Sequence, residues 1–391
     1  MTVIAEGART PIAKLSGAFA SLSATDLGGF AITEALRRSN VKPADVDYVY
    51  MGHVLQAGTG QITARRAATN AGIALTTPAT TINKVCLSGL NTIYLAHQMI
   101  SAGEADIVVA GGMESMTNAP YLVPGARAGL RAGDATMVDS LFHDGLYCTI
   151  EHCMMGEATE KYAATATISR DSQDALSAES HRRAAAATDA GILAEEIVPV
   201  SVPQRRGEPV VVSTDEGIRG ATTAEGLAKL RPAFGEGGNI TAGNASQISD
   251  GASAVIVMSE TAAAARGLTP LATIISYGQI AGPDPSLLNQ PSQAITAAVG
   301  RSELSVADID LFEINEAFAA VALASMADLG ISDTNVNVHG GAVALGHPIG
   351  ASGNRLALTL AYELRRRGGG VGAAALCGGG GQGDALLLRV G

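Results

Sequence analysis

The sequence predicts an α/β protein built from a duplicated unit, on three observations. Strand-like runs alternate with helical ones: residues 46–51 (VDYVYM), 106–110 (DIVVA) and 252–258 (ASAVIVM) read as strands. One motif occurs twice, once in each half of the 391 residues. The hydrophobic share is 47%, much of it alanine, with 47 glycines besides and no tryptophan, which suits close helix–sheet packing.

In the first copy Ser88-Gly89 opens an apolar pattern at Leu90, Ile93, His97 and Ile100, at helical spacing. Gly103 ends that helix, the strand at 106–110 follows, and Gly111-Gly112 close the unit. In the second copy Ser352-Gly353 opens Leu356, Leu360 and Leu364. Gly368, Gly369 and Gly370 end that helix, residues 371–376 (VGAAAL) form the strand, and Cys377-Gly378 close it. The two copies are of similar length, Ser88 to Gly111 spanning 23 residues (111 − 88) and Ser352 to Gly378 spanning 26 (378 − 352). This predicts an N-terminal domain over 1–265 and a C-terminal domain over 266–391. Residues 116–244 differ in character, with a helical patch at 172–187, prolines and polar turns. They read as an insertion in the first domain that covers a site.

Charge and cysteine usage bound the function. The formal charge is −11, from 26 Lys+Arg against 37 Asp+Glu, which argues against nucleic acid as the main partner. The one basic cluster, Arg365 to Arg367, falls where a helix ends and complements its dipole. Mean hydropathy is +0.22, yet no apolar run approaches the ~20 residues of a membrane span, and the start of the chain lacks a signal-peptide pattern. Four cysteines (Cys86, Cys148, Cys153 and Cys377) make no disulfide framework and are expected to be reduced in the cytoplasm.

Three segments carry candidate chemistry. Cys86, in TINKVCLSGLN, stands two residues before a helix start, where the dipole is expected to lower a thiol pKa and favour thiolate; a buried structural cysteine is the bland alternative. His347, in the glycine-rich GGAVALGHPIGASGN, is either a solvated loop side chain or a base for a nearby thiol. Asn315, in FEINEAFAAVALAS, is either a helix N-cap or an amide that orients water and meets a developing oxyanion. The turn GTGQIT at 58–63 is no dinucleotide loop, because no Asp or Glu occurs from Tyr48 to Gly103. His143, Cys148, His152 and Cys153 fit no paired-ligand spacing, so no metal is expected.

Taken in order, Cys-x-Ser-Gly opening a helix, Asn-Glu-Ala-Phe, Gly-His-Pro-x-Gly-x-Ser-Gly and Cys-Gly-Gly-Gly resemble the thiolase family, along essentially the whole chain. The likeness implies two similar α/β domains in five layers, αβαβα, with the insertion at about 116–244 over a coenzyme A site. It implies that Cys86 is the acylated nucleophile, that His347 takes its proton, and that Cys377 is the base for the second substrate. Asn315 (through a water) and His347 would hold the enolate oxygen, and the N–H groups of Cys86 and Gly379 the other oxyanion. Ser246, Arg219, Met155 and Phe318 would contact coenzyme A or line the acyl pocket. The likeness further implies acyl-CoA and CoA as partners, no separate cofactor, and a homotetramer or homodimer. The expected reaction joins two acetyl-CoA; a degradative 3-ketoacyl-CoA thiolase of broader chain length is the alternative. One departure stands out: Met154-Met155-Gly156 replaces the family's usual His-Met-Gly. The rival readings are a β-ketoacyl synthase, a non-catalytic lipid carrier and a cysteine hydrolase. None of them gives Cys377 a task.

Overall fold

The computed structural model describes all 391 residues. Its N-terminal half contains β1 (Thr2–Arg9), α1 (Ala24–Arg38), β2 (Tyr48–Gly52), α2 (Thr63–Asn70), β3 (Ala79–Ile82), α3 (Ser88–Ser101) and β4 (Ile107–Ser115). After an irregular stretch with helices α4 (Met155–Thr165) and α5 (Arg170–Asp189), this half closes with β5 (Ser249–Ser259). The C-terminal half contains β6 (Ala272–Ala281), α6 (Gln290–Val299), β7 (Leu311–Ile314), α7 (Ala319–Leu329), α8 (Ser352–Arg366), β8 (Gly370–Gly378) and β9 (Gln382–Val390).

Strand order exposes the duplication. The first half runs β3-β2-β4-β5-β1 and the second β7-β8-β9-β6. In both, a parallel pair (β2/β4, β7/β8) is followed by two antiparallel ones (β4/β5 and β5/β1; β8/β9 and β9/β6), the first half adding a second parallel pair, β2/β3, at its edge. The two sheets meet edge to edge only at Val3↔Thr273 and Ile4↔Ala272 of β1 and β6.

Period-two alternation then builds five layers. Val108 and Ala110 of β4, Val255 and Val257 of β5, and Leu386 and Leu388 of β9 face one core with Leu90 and Ile93 of α3 and Leu356 and Leu360 of α8. The alternate residues Ile107, Val109, Ala254 and Ile256 face an outer core under α1. On the other sheet Ala385 and Leu387 face a third core under α6. Helices, sheet, paired helices, sheet and helices therefore stack in the expected αβαβα order. Glycine lets the paired helices cross closely: a Cβ on Gly89 would lie 2.9 Å from the Asn354 nitrogen, and one on Gly353 2.5 Å from that of Leu90. The insertion is tied to the sheet by buried Arg9 of β1, which holds Glu196 at 2.6 Å and both oxygens of Asp215 at 2.7 and 2.9 Å. No helix is long and apolar enough to cross a membrane.

Candidate active site

Both copies of the repeated unit present their loop-to-helix junctions toward the middle layer. Residues 84–88 form a tight turn in which Ser88 Oγ accepts from the Lys84 N–H at 2.8 Å and donates to the Val85 carbonyl at 2.6 Å. Val85 is held at φ +50°, an outlier for a β-branched residue and a mark of backbone strain stored beside a functional group. Cys86 follows, buried. Opposite it, β8 ends in Cys377-Gly378, and a turn with Gly380 (φ +78°) and Gly381 (φ +69°) leads into β9. A Cβ on Gly378 would meet the Leu87 side chain at 2.5 Å, and one on Gly379 would meet Val85 at 3.4 Å, so the two cysteine-bearing turns abut.

His347 is buried, not solvated. Its Nδ1 lies 2.6 Å from Ser352 Oγ, and that hydroxyl donates to the Pro348 carbonyl at 3.0 Å. A hydroxyl with its single proton committed accepts from Nδ1–H, so the network assigns the tautomer with Nε2 free to take a proton. Asn315 Nδ2 approaches that Nε2 at 3.4 Å, while its buried Oδ1 finds no partner in the protein. Asn315 is no N-cap: it follows β7, its N–H donates to the Ala375 carbonyl, and α7 begins four residues on. Its neighbour Glu316 is structural, bound by Ser180 Oγ, Asn337 Nδ2 and the Val343 N–H.

The charge state of Cys86 corrects the expectation from sequence. Burial pushes the thiol up to about 12, and the buried Glu114 carboxyl nearby adds to the rise, so desolvation outweighs the helix dipole. Cys377 is likewise pushed up, by burial first and then by the charge of Cys86 beside it. Burial drives His347 down to about 3, with Arg355 adding. At rest the site therefore holds two thiols and a neutral imidazole. The cost of charging Cys86 or His347 alone falls when a proton passes between them and the two charges form as a pair.

A cavity of about 170 Å³ opens at His347, its wall including Met154, Met155, Ser246 and Phe318. The Ser246 N–H donates to the Ala317 carbonyl at 3.0 Å, which brings its segment alongside Phe318. A second cavity shares Met155 as a wall and reaches Val85, Cys148, Gly379 and Gly380. The structure thus gathers Met155, Ser246, Phe318 and Gly379 around the cysteines, His347 and Asn315. Arg219 is exposed and lines neither cavity; its N–H donates to His181 Nδ1 at 3.1 Å. Cys148 and Cys153 pair across a short hairpin. No three His, Cys, Asp or Glu side chains converge on a metal position.

Sequence reasoning passed over three contributors. Phe234 packs edge-on to Phe318 at 6.3 Å and lines the cavity, and only glycine at 156 lets its ring in. Ser352, in the same motif as His347, orients the imidazole. Glu114 accepts N–H bonds from Val54, Leu55 and Gly350 at 3.0–3.1 Å, tying the His347 loop to the first half. Burial lifts its carboxyl to about 7.

Comparison with known proteins assigns the family. Residues 2–261 match the family model of the thiolase N-terminal domain and residues 268–390 that of the thiolase C-terminal domain. The chain belongs to the thiolase family. It is 54% identical over 387 residues to a protein of Mycolicibacterium smegmatis described as a probable acetyl-CoA acetyltransferase, covering 99% of this chain and 100% of that one. It is 53% identical to a similarly described protein of Mycobacterium tuberculosis, covering 100% and 99%. It is 49% identical to the acetyl-CoA acetyltransferase of Cupriavidus necator, covering 99% and 98%.

Proposed function

We propose that this chain is an acetyl-CoA C-acetyltransferase, joining two acetyl-CoA into acetoacetyl-CoA and free CoA, reversibly, through an acetyl-cysteine. The observation that carries the reading is the abutting of two cysteine turns from opposite halves, with a neutral, oriented imidazole in a cavity that shares its Met155 wall with them. The names of its near full-length relatives support the substrate.

In this reading His347 Nε2 takes the Cys86 proton as sulfur attacks the thioester carbon. The oxyanion is met by the N–H groups of Cys86 and Gly379; one such donor is worth about 2.7–4 kcal/mol. The carbon–sulfur bond to CoA breaks, and CoA leaves with the proton held on His347. Cys377 then passes its own proton to His347, leaving acetyl-Cys86, a Cys377 thiolate and an imidazolium whose charges balance. A thiol raised by burial gives a strong base once deprotonated, so Cys377 removes the methyl proton of the second acetyl-CoA. Asn315, through a water, and His347 hold the enolate oxygen. The enolate carbon then bonds to the acetyl carbon, and Cys86 departs with the proton held on His347. Protons balance over the cycle without a metal or redox cofactor.

Ser246 and Phe318 would guide the pantetheine arm, and Arg219, on the surface, would meet the nucleotide. Working thiols require a reducing compartment, which fits the cytoplasm. The family resemblance implies an assembly of two or four copies. Met155 is the shared wall between the cavity at His347, of about 170 Å³, and the one at the cysteine turns, of about 610 Å³, and a bulky side chain at that junction favours a short acyl group. The test is kcat/KM for thiolysis of 3-ketoacyl-CoAs from four to sixteen carbons. A maximum at four is expected, with tolerance of one or two extra carbons, since a methylene is worth only ~1–3 kcal/mol. A maximum at eight or beyond would make this a degradative 3-ketoacyl-CoA thiolase.

A further inference from the structure

A buried ion pair joins the two chain segments that carry the reactive thiols, and the mechanism above does not use it. Lys84 Nζ lies 2.8 and 2.9 Å from the two carboxylate oxygens of Asp384. The carboxylate is 0% exposed and the lysine side chain 21%. Lys84 stands two residues before Cys86, separated from it only by the strained Val85. Asp384 stands on β9 directly after Gly383, the register partner of Cys377. The Tyr277 hydroxyl also donates to Asp384 at 2.8 Å, and its ring stacks on Tyr94 of α3 at 4.3 Å. The carboxylate is thereby bound from the nucleophile's turn and, through Tyr277, from the nucleophile's helix.

Stability alone is a poor reason for such a pair. A buried ion pair is often no better than well-packed apolar residues of the same volume, because desolvation offsets the attraction. What it does provide is geometry, since a carboxylate held at both oxygens by one ammonium leaves little freedom to either backbone. We propose that Lys84 and Asp384 are a positioning pair that fixes the separation of Cys86 and Cys377. The inference rests on the two-cysteine reaction proposed above. Neither residue touches substrate; each acts through the turn that carries a thiol. Acetylation of Cys86 depends on His347 and the first thioester. Proton removal depends on where Cys377 stands relative to a substrate already aligned on Cys86. Loosening the pair therefore falls hardest on the second step.

The experiment compares Lys84→Arg, Lys84→Met and the double variant Lys84→Met/Asp384→Leu with the unaltered protein. The double variant removes both charges and so strands no buried carboxylate. Two rates are read on each: acetyl transfer to Cys86 in a single turnover, and exchange of the acetyl-CoA methyl protons with deuterated water. Thermal unfolding is recorded alongside. In the double variant acetylation stays within severalfold, while exchange falls on the order of a hundredfold, the loss that a 1 Å misplacement produces. Lys84→Arg, which spans both oxygens, restores exchange to within severalfold. Exchange at the unaltered rate in a folded double variant overturns the inference. So does an equal fall of both rates with melting temperature, which marks a merely structural pair. If the unaltered protein never acetylates Cys86, the two-cysteine reading itself fails, independently of the pair.

Discussion

The two copies of the repeated unit share their strand order but not their tasks. In the first, the reactive group sits before the helix, at Cys86, and the strand ends in Gly111-Gly112-Met113-Glu114-Ser115. In the second, the place two residues before Ser352 is Gly350, and the strand ends on the thiol of Cys377. Where one copy carries sulfur, the other carries glycine. The glycines are contacts rather than blanks: a Cβ on Gly112 would collide with the Gly350 carbonyl oxygen and come within 2.7 Å of the Ala351 Cα. The first copy contributes the nucleophile and a floor, and the second lays its His347 loop on that floor and adds Cys377 and Asn315. Duplication followed by such a division lets two similar halves place different groups on one substrate.

The sharpest way to break this contrast is to fill the glycines. Gly112→Ala puts a methyl against backbone, which cannot rotate away, so the His347 loop must shift. On the expectation that a 1 Å misplacement costs ~10²-fold, kcat should fall by about that much, with a stability loss of ~1–3 kcal/mol from overpacking. Gly378→Ala in the other copy meets only the side chain of Leu87 and should cost less on both counts. Steady-state kinetics and urea unfolding check the pair; a larger loss for Gly378→Ala would remove the floor from the account.

A smaller effect tests the resting charge state. Because burial raises the Cys86 thiol, the group is protonated at neutral pH, and its thiolate fraction climbs about tenfold per pH unit below the pKa. Alkylation of Cys86 by iodoacetamide, followed by peptide mapping, should still be accelerating at pH 9. Half-exposed Cys153 in the same digest serves as the internal reference. A plateau at Cys86 by pH 7 would mean a resting thiolate–imidazolium pair instead.

Much of this was legible in the residues, and the misses share a physical cause. Helices begin at Ser88 and Ser352 as the motif predicts, because periodicity and the Ser-Gly junction are local signals. The strand expected at 106–110 runs on to Ser115, because Gly111 and Gly112 continue in register with Ala254 and Ser253. Glycine there serves close approach rather than a turn. The helix start beside Cys86 was visible, but its burial was not, so the expected sign of its pKa shift was reversed. Ser352 lay within the motif of its partner, five residues from His347. Lys84 and Asp384, 300 residues apart, left no local trace of their pairing. Met154, the departure noted in the sequence, stands as an apolar side chain in the cavity wall.

The central claim is that Cys86 carries the acyl group while Cys377 only moves protons. Its most direct test is the Cys377→Ala protein incubated with acetyl-CoA in deuterated water, quenched in acid and mapped by mass spectrometry. The account predicts acetyl on the Cys86 peptide and acetyl-CoA whose methyl group stays free of deuterium. An unacetylated Cys86, or deuterium entering the methyl at the rate of the unaltered protein, would contradict it.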